Sequence, residues 1–339
     1  MKSMRAVTLR AFGAADMMQI MQVPEPTLTY PSDVLIKVMA AGVNRADISQ
    51  RQGHYPPPTG ASEIMGLEVS GVVLKTGRDV SRFKEGDRVM ALLSGGGYAQ
   101  AAVAHEGSVM KIPDGFSFVE AAAIPEAFLT AWQLLSVHGS LREGQCVLIH
   151  AAASGVGTAA MQLADKYFKA KVIGTCSLAK VEFCRKFASI VIDRTPDTSG
   201  NCFSQKVRET IGENSVNLIV DPVVGGSYLS EDATVLAQDG KIVVIAFMGG
   251  SKVTLNTSTL LRKRGTLIFS KLRDQTNQYK ASMVEDFERE IFPYLKERTI
   301  APVVQRTFAM EDVAEAHTFI ENNMTNGKIV LTMSSSLDE

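Results

Sequence analysis

Gln145-Cys146-Val147-Leu148-Ile149-His150-Ala151-Ala152-Ala153-Ser154-Gly155-Val156-Gly157 is a short apolar run followed by a turn of small residues. The run reads as a buried strand, and the turn opens a helix. A strand, turn and helix in that order bring backbone N–H groups against the pyrophosphate of a dinucleotide. The fingerprint is degenerate, because Ala152 and Ser154 stand where the first two glycines of G-x-G-x-x-G belong. It points to a redox enzyme, and the neighbouring motifs decide which kind.

On both sides of this stretch, from Ala121 onward, apolar strand candidates alternate with helical patterns. The strands are Cys146–His150, Lys171–Thr175, Val191–Asp193, Leu218–Asp221, Lys241–Ala246 and Thr266–Phe269, with helices at Gly155–Phe168, Lys180–Phe187 and Ser227–Leu236. Strands separated by crossover helices predict a parallel, doubly wound α/β sheet. Before about residue 115 the texture differs. Asp33–Val38 and Val69–Val73 are β-rich, and Pro56-Pro57-Pro58, Gly86-Asp87 and Gly95-Gly96-Gly97 punctuate them, which predicts a mostly antiparallel, partly open β-barrel. After about residue 275 come a long amphipathic helix, Tyr279–Arg298, a second at Met310–Asn322 and a closing strand, Lys328–Met333.

A chain of 339 residues predicts two domains. Its 35 basic and 36 acidic residues leave a net charge of −1, so no global field draws nucleic acid or an anionic membrane. Met1–Leu9 lacks the apolar core of a signal peptide, and no run reaches the ~18 apolar residues of a membrane span. A soluble, cytoplasmic protein is expected. Cys146, Cys176, Cys184 and Cys202 follow no metal or disulfide pattern and read as reduced, structural thiols.

A nucleotide fold inserted between two parts of another domain is a specific arrangement. Asn44-Arg45-Ala46-Asp47, Arg51-Gln52-Gly53-His54-Tyr55-Pro56, Gly66-Leu67-Glu68-Val69-Ser70-Gly71, Ala123-Ile124-Pro125, Ala151–Thr158, Met248-Gly249-Gly250 and Gly327-Lys328-Ile329-Val330 follow one another across nearly the whole chain. In order and wording this series resembles the quinone oxidoreductase branch of the medium-chain dehydrogenase/reductase superfamily. Leu92–Gly97 and Ala121–Ala127 look closest to its tumour-suppressor-induced, zeta-crystallin-like members. The resemblance implies a GroES-like catalytic domain, residues 1–122 completed by 275–339, and a Rossmann domain, residues 123–274, with the cofactor in the cleft between them. It also implies a homodimer.

The resemblance and the residues agree on a nicotinamide cofactor. Ala153, Ser154, Gly155, Val156 and Gly157 let the backbone approach the pyrophosphate. An NAD enzyme places Asp or Glu after the next strand, but here Cys176-Ser177-Leu178-Ala179-Lys180 follows, with no carboxylate until Glu182. That favours NADPH, with Ser177 and Lys180 at the family's 2′-phosphate positions and Arg194 as an added fork. Val223, Phe247, Met248 and Gly249 belong to turns at the carboxyl edge of the sheet. The resemblance puts Asn44, Thr130, Ser270, Leu272 and Thr325 around the nicotinamide as well.

Zinc is argued against by the residues themselves. Where zinc-dependent relatives carry a Cys and a Gly-His-Glu histidine, this chain has Asn44-Arg45-Ala46-Asp47 and Gly66-Leu67-Glu68, and Leu67 cannot ligate a metal. Without a Lewis acid the reaction suits an electron-poor acceptor such as a quinone. Tyr55 is the first candidate for stacking and hydrogen-bond donation to it, and Asn44 the second. Asp47 and Arg51 read as a structural pair behind this wall, and His54 as a solvent-facing residue or a proton relay. A 2-alkenal or enone double-bond reductase is the enzymatic alternative; a crystallin-like or RNA-binding protein is the alternative of another class. The basic runs Arg262-Lys263-Arg264 and Lys271 to Arg273 lack interleaved aromatics, so a nucleic-acid partner is not expected.

Overall fold

The structure, a computed structural model, describes residues 2–333. It divides into two compact units, Met1–Leu129 with Leu272–Glu339, and Thr130–Lys271. The strands in chain order are β1 (Ser3–Leu9), β2 (Met18–Pro24), β3 (Asp33–Val43), β4 (Glu68–Thr76), β5 (Arg88–Leu92), β6 (Ala101–His105), β7 (Val109–Lys111), β8 (Cys146–Ile149), β9 (Lys171–Cys176), β10 (Ile190–Asp193), β11 (Val216–Asp221), β12 (Leu236–Val244), β13 (Thr266–Phe269), β14 (Val304–Ala309) and β15 (Lys328–Thr332).

In the central unit all pairings are parallel and the order is β10-β9-β8-β11-β12-β13. This is the 3-2-1-4-5-6 order of dinucleotide-binding sheets, whose direction reverses between β8 and β11. The strands are short and apolar because both faces are covered: Val147, Leu148, Ile149, Ile219, Ile242 and Val243 are fully buried. Three helical stretches of this unit escape the sequence reading: Gln133–His138, which continues Pro125–Trp132, then Ser204–Ile211 and Thr257–Lys263. Ser204–Ile211 is polar on average and buries only Ser204 and Val207, and Thr257–Lys263 buries no residue, so neither stands out as an apolar segment.

In the other unit β14-β15-β3-β4-β5-β7 form one sheet, with β6 also on β3, and β1 pairs with β2. Every pairing but β14 with β15 is antiparallel. This is the GroES-like half expected from the turn-rich sequence. The tail is part of it, since β15 pairs with β3 at Ile329 opposite Val43. That one register sets Lys328 beside Val43 and Asn44.

Candidate functional site

The turn after β8 is built from constraints the sequence only half declares. Ala151 adopts a left-handed conformation, φ 49°, uncommon for a residue with a Cβ. Ser154 N–H then donates to Ala151 O at 2.8 Å. A Cβ on Gly157 would lie 2.5 Å from Ala151 O and 2.6 Å from Ala152 O, so only glycine lets the helix Gly155–Gln162 start against the turn. The two missing glycines have local compensations. The methyl of Ala152 occupies space left by Gly174 on β9, where a Cβ would come within 2.9 Å of it. Ser154 caps the helix, its Oγ accepting from Gly157 N at 3.0 Å. The result is a small-residue helix start fit for a pyrophosphate.

At the end of β9, Ser177 and Lys180 follow Cys176, whose carbonyl accepts from Arg194 N at 2.9 Å, the next residue after β10. Ser177, Lys180 and Arg194 therefore share one sheet corner. Lys180 and Arg194 both act electrostatically on the Cys176 thiol. Asp193 is near, but its Oδ1 accepts from the Thr195 N–H and hydroxyl at 3.1 and 3.0 Å. Two further turns interlock on the same edge. Met248 N–H and Gly249 N–H donate to Pro222 O and Val223 O at 3.0 and 2.8 Å. Val223 is half-buried, and Phe247 and Met248 are exposed. Ser270 Oγ donates to Gln133 Oε1 at 3.0 Å, and Thr130 is buried.

Beneath this edge lies a buried acid cluster that the sequence reading leaves without a role. His150 Nδ1 meets Thr175 Oγ1 at 2.7 Å and His150 Nε2 meets Asp232 Oδ1 at 2.8 Å. Burial pushes the His150 pKa down to about 4 and that of Asp221 up to about 7, and it holds Asp232 well above the usual carboxylate range. Asp221 Oδ1 accepts from Val223 N and Val224 N at 2.6 and 3.0 Å, fixing the turn above it.

The other unit holds a second polar cluster, on strands and helices that the sequence separates widely. Glu68, fully buried, pairs with Lys328 at 2.6 Å and accepts from Asn44 Nδ2 at 3.0 Å and from Glu126 N at 2.8 Å. Lys328 also donates to Asn44 Oδ1 at 2.6 Å and Val43 O at 3.1 Å. Gly42 on β3 makes room for this, since a Cβ there would sit 2.1 Å from Glu68 Oε1. The Asn44 carbonyl and one of its amide hydrogens are thus engaged by the protein. Asp47 accepts from Asn44 N at 2.8 Å, Tyr98 Oη at 2.9 Å and Gly66 N at 3.2 Å, and burial still lifts its pKa to about 6.

Asp47 and Arg51 do not pair. Arg51 makes a forked bond to Glu321 at 2.5 and 3.0 Å, because the helix Val313–Glu321 brings that carboxylate to the guanidinium while Asp47 is turned inward to Tyr98. Tyr55 is half-buried, with the Arg273 guanidinium 5.1 Å over its ring. Arg273 also donates to Tyr55 O at 3.1 Å, Ser94 O at 2.9 Å and Gln50 Oε1 at 2.7 Å. Burial first, then the charge of Glu126, keeps the Tyr55 phenol protonated far above neutrality. His54 is exposed, Leu272 buried and Thr325 half-buried.

Leu67 is buried at 1 % exposure, an aliphatic side chain beside the Glu68 network. Among the described residues no three His, Cys, Asp or Glu side chains gather as a metal-ligand group. The four cysteines form no disulfide. Within the basic runs Arg264 is forked onto Asp239, Lys263 donates to Ala233 O and Thr234 O, and Arg273 is buried, while Arg262 and Lys271 are exposed. Among the described residues no helix is long and apolar enough to cross a membrane.

Known proteins resemble this chain in sequence and fold. Residues 30–114 match the family model described as "Alcohol dehydrogenase GroES-like domain", and residues 188–331 match "Zinc-binding dehydrogenase". Quinone oxidoreductase-like protein 2 of Bos taurus is 30% identical over 311 residues, covering 91% of this chain and 87% of that protein. The Quinone oxidoreductase of Homo sapiens is 29% identical over 342 residues, 98% of each chain. The crystal structure of human synaptic vesicle membrane protein VAT-1 homolog-like protein superposes with a TM-score of 0.84 at 29% identity, covering 99% of this chain and 100% of that one.

Proposed function

Because the chain belongs to the medium-chain dehydrogenase/reductase superfamily of oxidoreductases, we propose that it is an NADPH-dependent, zinc-independent quinone reductase. One observation carries this reading above the others. At Leu67-Glu68, where a metal-dependent member needs a ligand, the chain has an aliphatic side chain and an acid already neutralised by Lys328 and Asn44. The matched model carries zinc in its description, but this chain offers no donor at Leu67 and a fixed ammonium beside Asn44. An alkoxide would lack a Lewis acid there. A quinone does not need one, because its reduction product is a delocalised, aromatic oxyanion.

Bound NADPH would supply the hydride. The turn Ala153–Gly157 would hold its pyrophosphate, and Ser177, Lys180 and Arg194 its 2′-phosphate, for which the sheet corner offers two cations and a hydroxyl. Val223, Phe247, Met248, Gly249, Ser270, Thr130, Leu272, Thr325 and Asn44 are assigned to the nicotinamide end. Tyr55, kept protonated and backed by Arg273, is assigned to stacking on the acceptor ring and donating to its oxygen. The similarity to the human protein named Quinone oxidoreductase supports this class of acceptor. A homodimer completes the reading: among the described residues β13 has a neighbour on one side only, and Phe269 on it and Leu261 just before it are 61% and 79% exposed.

Oxidation of NADPH and NADH by a panel of quinones and enals tests the proposal. Quinones turned over with NADPH preferred, and activity kept in a chelator, are expected. Turnover of enals alone, or loss of activity in the chelator, overturns it.

A further inference from the structure

We propose that Glu126 is a catalytic acid, its carboxyl delivering a proton to the carbonyl oxygen of the acceptor; this rests on the quinone-reductase reading above. Glu126 lies in the first turn of the helix Pro125–Trp132, where a carboxylate would ordinarily settle on the free backbone N–H groups. Glu68 has taken that place, its Oε2 accepting from Glu126 N at 2.8 Å. Among the described residues nothing hydrogen-bonds to the Glu126 carboxyl, although part of the residue remains open to solvent. A polar group left without partners and reachable from outside is placed to serve a ligand rather than the fold.

Its surroundings are those of a donor. Glu68 on β4 and Asp47 on the helix Arg45–Arg51 disfavour a negative charge there. Lys328 on β15 and Lys280 on the helix Asn277–Lys296 partly offset them. Tyr55 and Arg273 feel the Glu126 charge in turn, so both ring wall and carboxyl belong to one neighbourhood. Burial, then Glu68, lifts the pKa of Glu126 to about 8, so the acid carries its proton at neutral pH.

The step balances. Hydride leaves the dihydronicotinamide with its electron pair and forms an O–H bond at one quinone oxygen, the ring π electrons shift to make the ring aromatic, the π pair of the opposite carbonyl moves onto its oxygen, and that oxygen takes the proton as the Glu126 O–H bond breaks. The hydroquinone and oxidised nicotinamide result, and the Glu126 carboxylate, facing Glu68 and Asp47, recovers a proton from solvent.

The test is Glu126→Gln, which keeps the shape and removes the proton, with Glu126→Asp beside it, assayed with naphthoquinone and NADPH across pH. Wild-type kcat should fall as pH rises through about 8. Glu126→Gln should lower kcat at neutral pH roughly 10²-fold and abolish that decline with the NADPH Kd unchanged, and Glu126→Asp should recover part of the rate. Infrared difference titration of the cofactor-free protein gives an independent readout: a protonated-carboxyl band lost on alkalinisation and missing in Glu126→Gln. Unchanged kcat and pH profile in Glu126→Gln, or no such band, overturns the assignment of Glu126 while the quinone-reductase reading stands. Absence of quinone turnover by the wild-type protein at any pH overturns both.

Discussion

The cluster around Glu68 and the cluster around Asp232 are built from the same kinds of side chain and solve burial in opposite ways. Glu68 is matched by an ammonium, two amide groups and a glycine that clears its path. Asp232, equally inaccessible, meets the neutral His150 and the acid Asp221 but no cation, and it and Asp221 are held toward their protonated forms. Buried ions need a partner charge, whereas acids without one keep their protons. The first cluster is a fixed dipole next to Asn44, and the second is a hydrogen-bonded floor under the turn that begins at Val223.

The comparison breaks most sharply at Lys328. Lys328→Met should cost about 3–5 kcal/mol by chemical denaturation, because Glu68 is left charged and unpaired, and adding Glu68→Gln should recover most of the loss. A change of under 1 kcal/mol would mean that the ion pair does not set the cluster. Next in size is Lys180→Ala, which should weaken NADPH by about 1.5–3 kcal/mol in a fluorescence titration while leaving NADH binding and stability near wild type. Equal weakening of both nucleotides would remove the 2′-phosphate assignment.

The neutral cluster gives a smaller, pH-dependent signal. The folded Asp221 pKa, about 7, lies above the unfolded value, so the folded state holds a proton that the unfolded chain releases. Asp221 therefore makes stability fall as pH rises from about 4 toward 7. His150 acts in the other direction: with its folded pKa depressed to about 4, stability rises with pH between that value and about 6.5. Asp221→Asn removes the first effect, so its Tm relative to wild type should climb across this range, by about 2–4 °C for each kcal/mol. A flat difference would mean that Asp221 is ionised in the fold. Smallest of all, Asp232→Asn should shift stability by less than about 1 kcal/mol, because a protonated acid and an amide have similar needs.

The central sheet was legible because each strand is an apolar run bounded by a helix or turn. The exceptions are instructive: β12 begins at Leu236, five residues before the apolar stretch starting at Lys241, because Gln238, Asp239 and Gly240 interrupt its pattern. At the turn after β8 the small residues Ser154 and Gly157 were readable in the sequence, but not the reason Ala152 fits, which depends on Gly174 across the sheet. Lys328 and Glu68 were visible only as letters within motifs. Glu126 is 58 residues from Glu68, and Lys328 is 284 from Asn44. The pairing of β15, β3 and β4 joins Lys328, Asn44 and Glu68, and the helix Pro125–Trp132 brings Glu126 to them; no local pattern encodes that register.

The turns at Val223–Gly225 and Phe247–Gly249 carry one more consequence. A Cβ on Gly225 would stand 1.8 Å from Gly249 O, and Gly249 N–H is tied to Val223 O. The two loops therefore have no independent mechanical freedom. Lengthening or shortening one would force a matching change in the other, so variation there should be acceptable only in pairs.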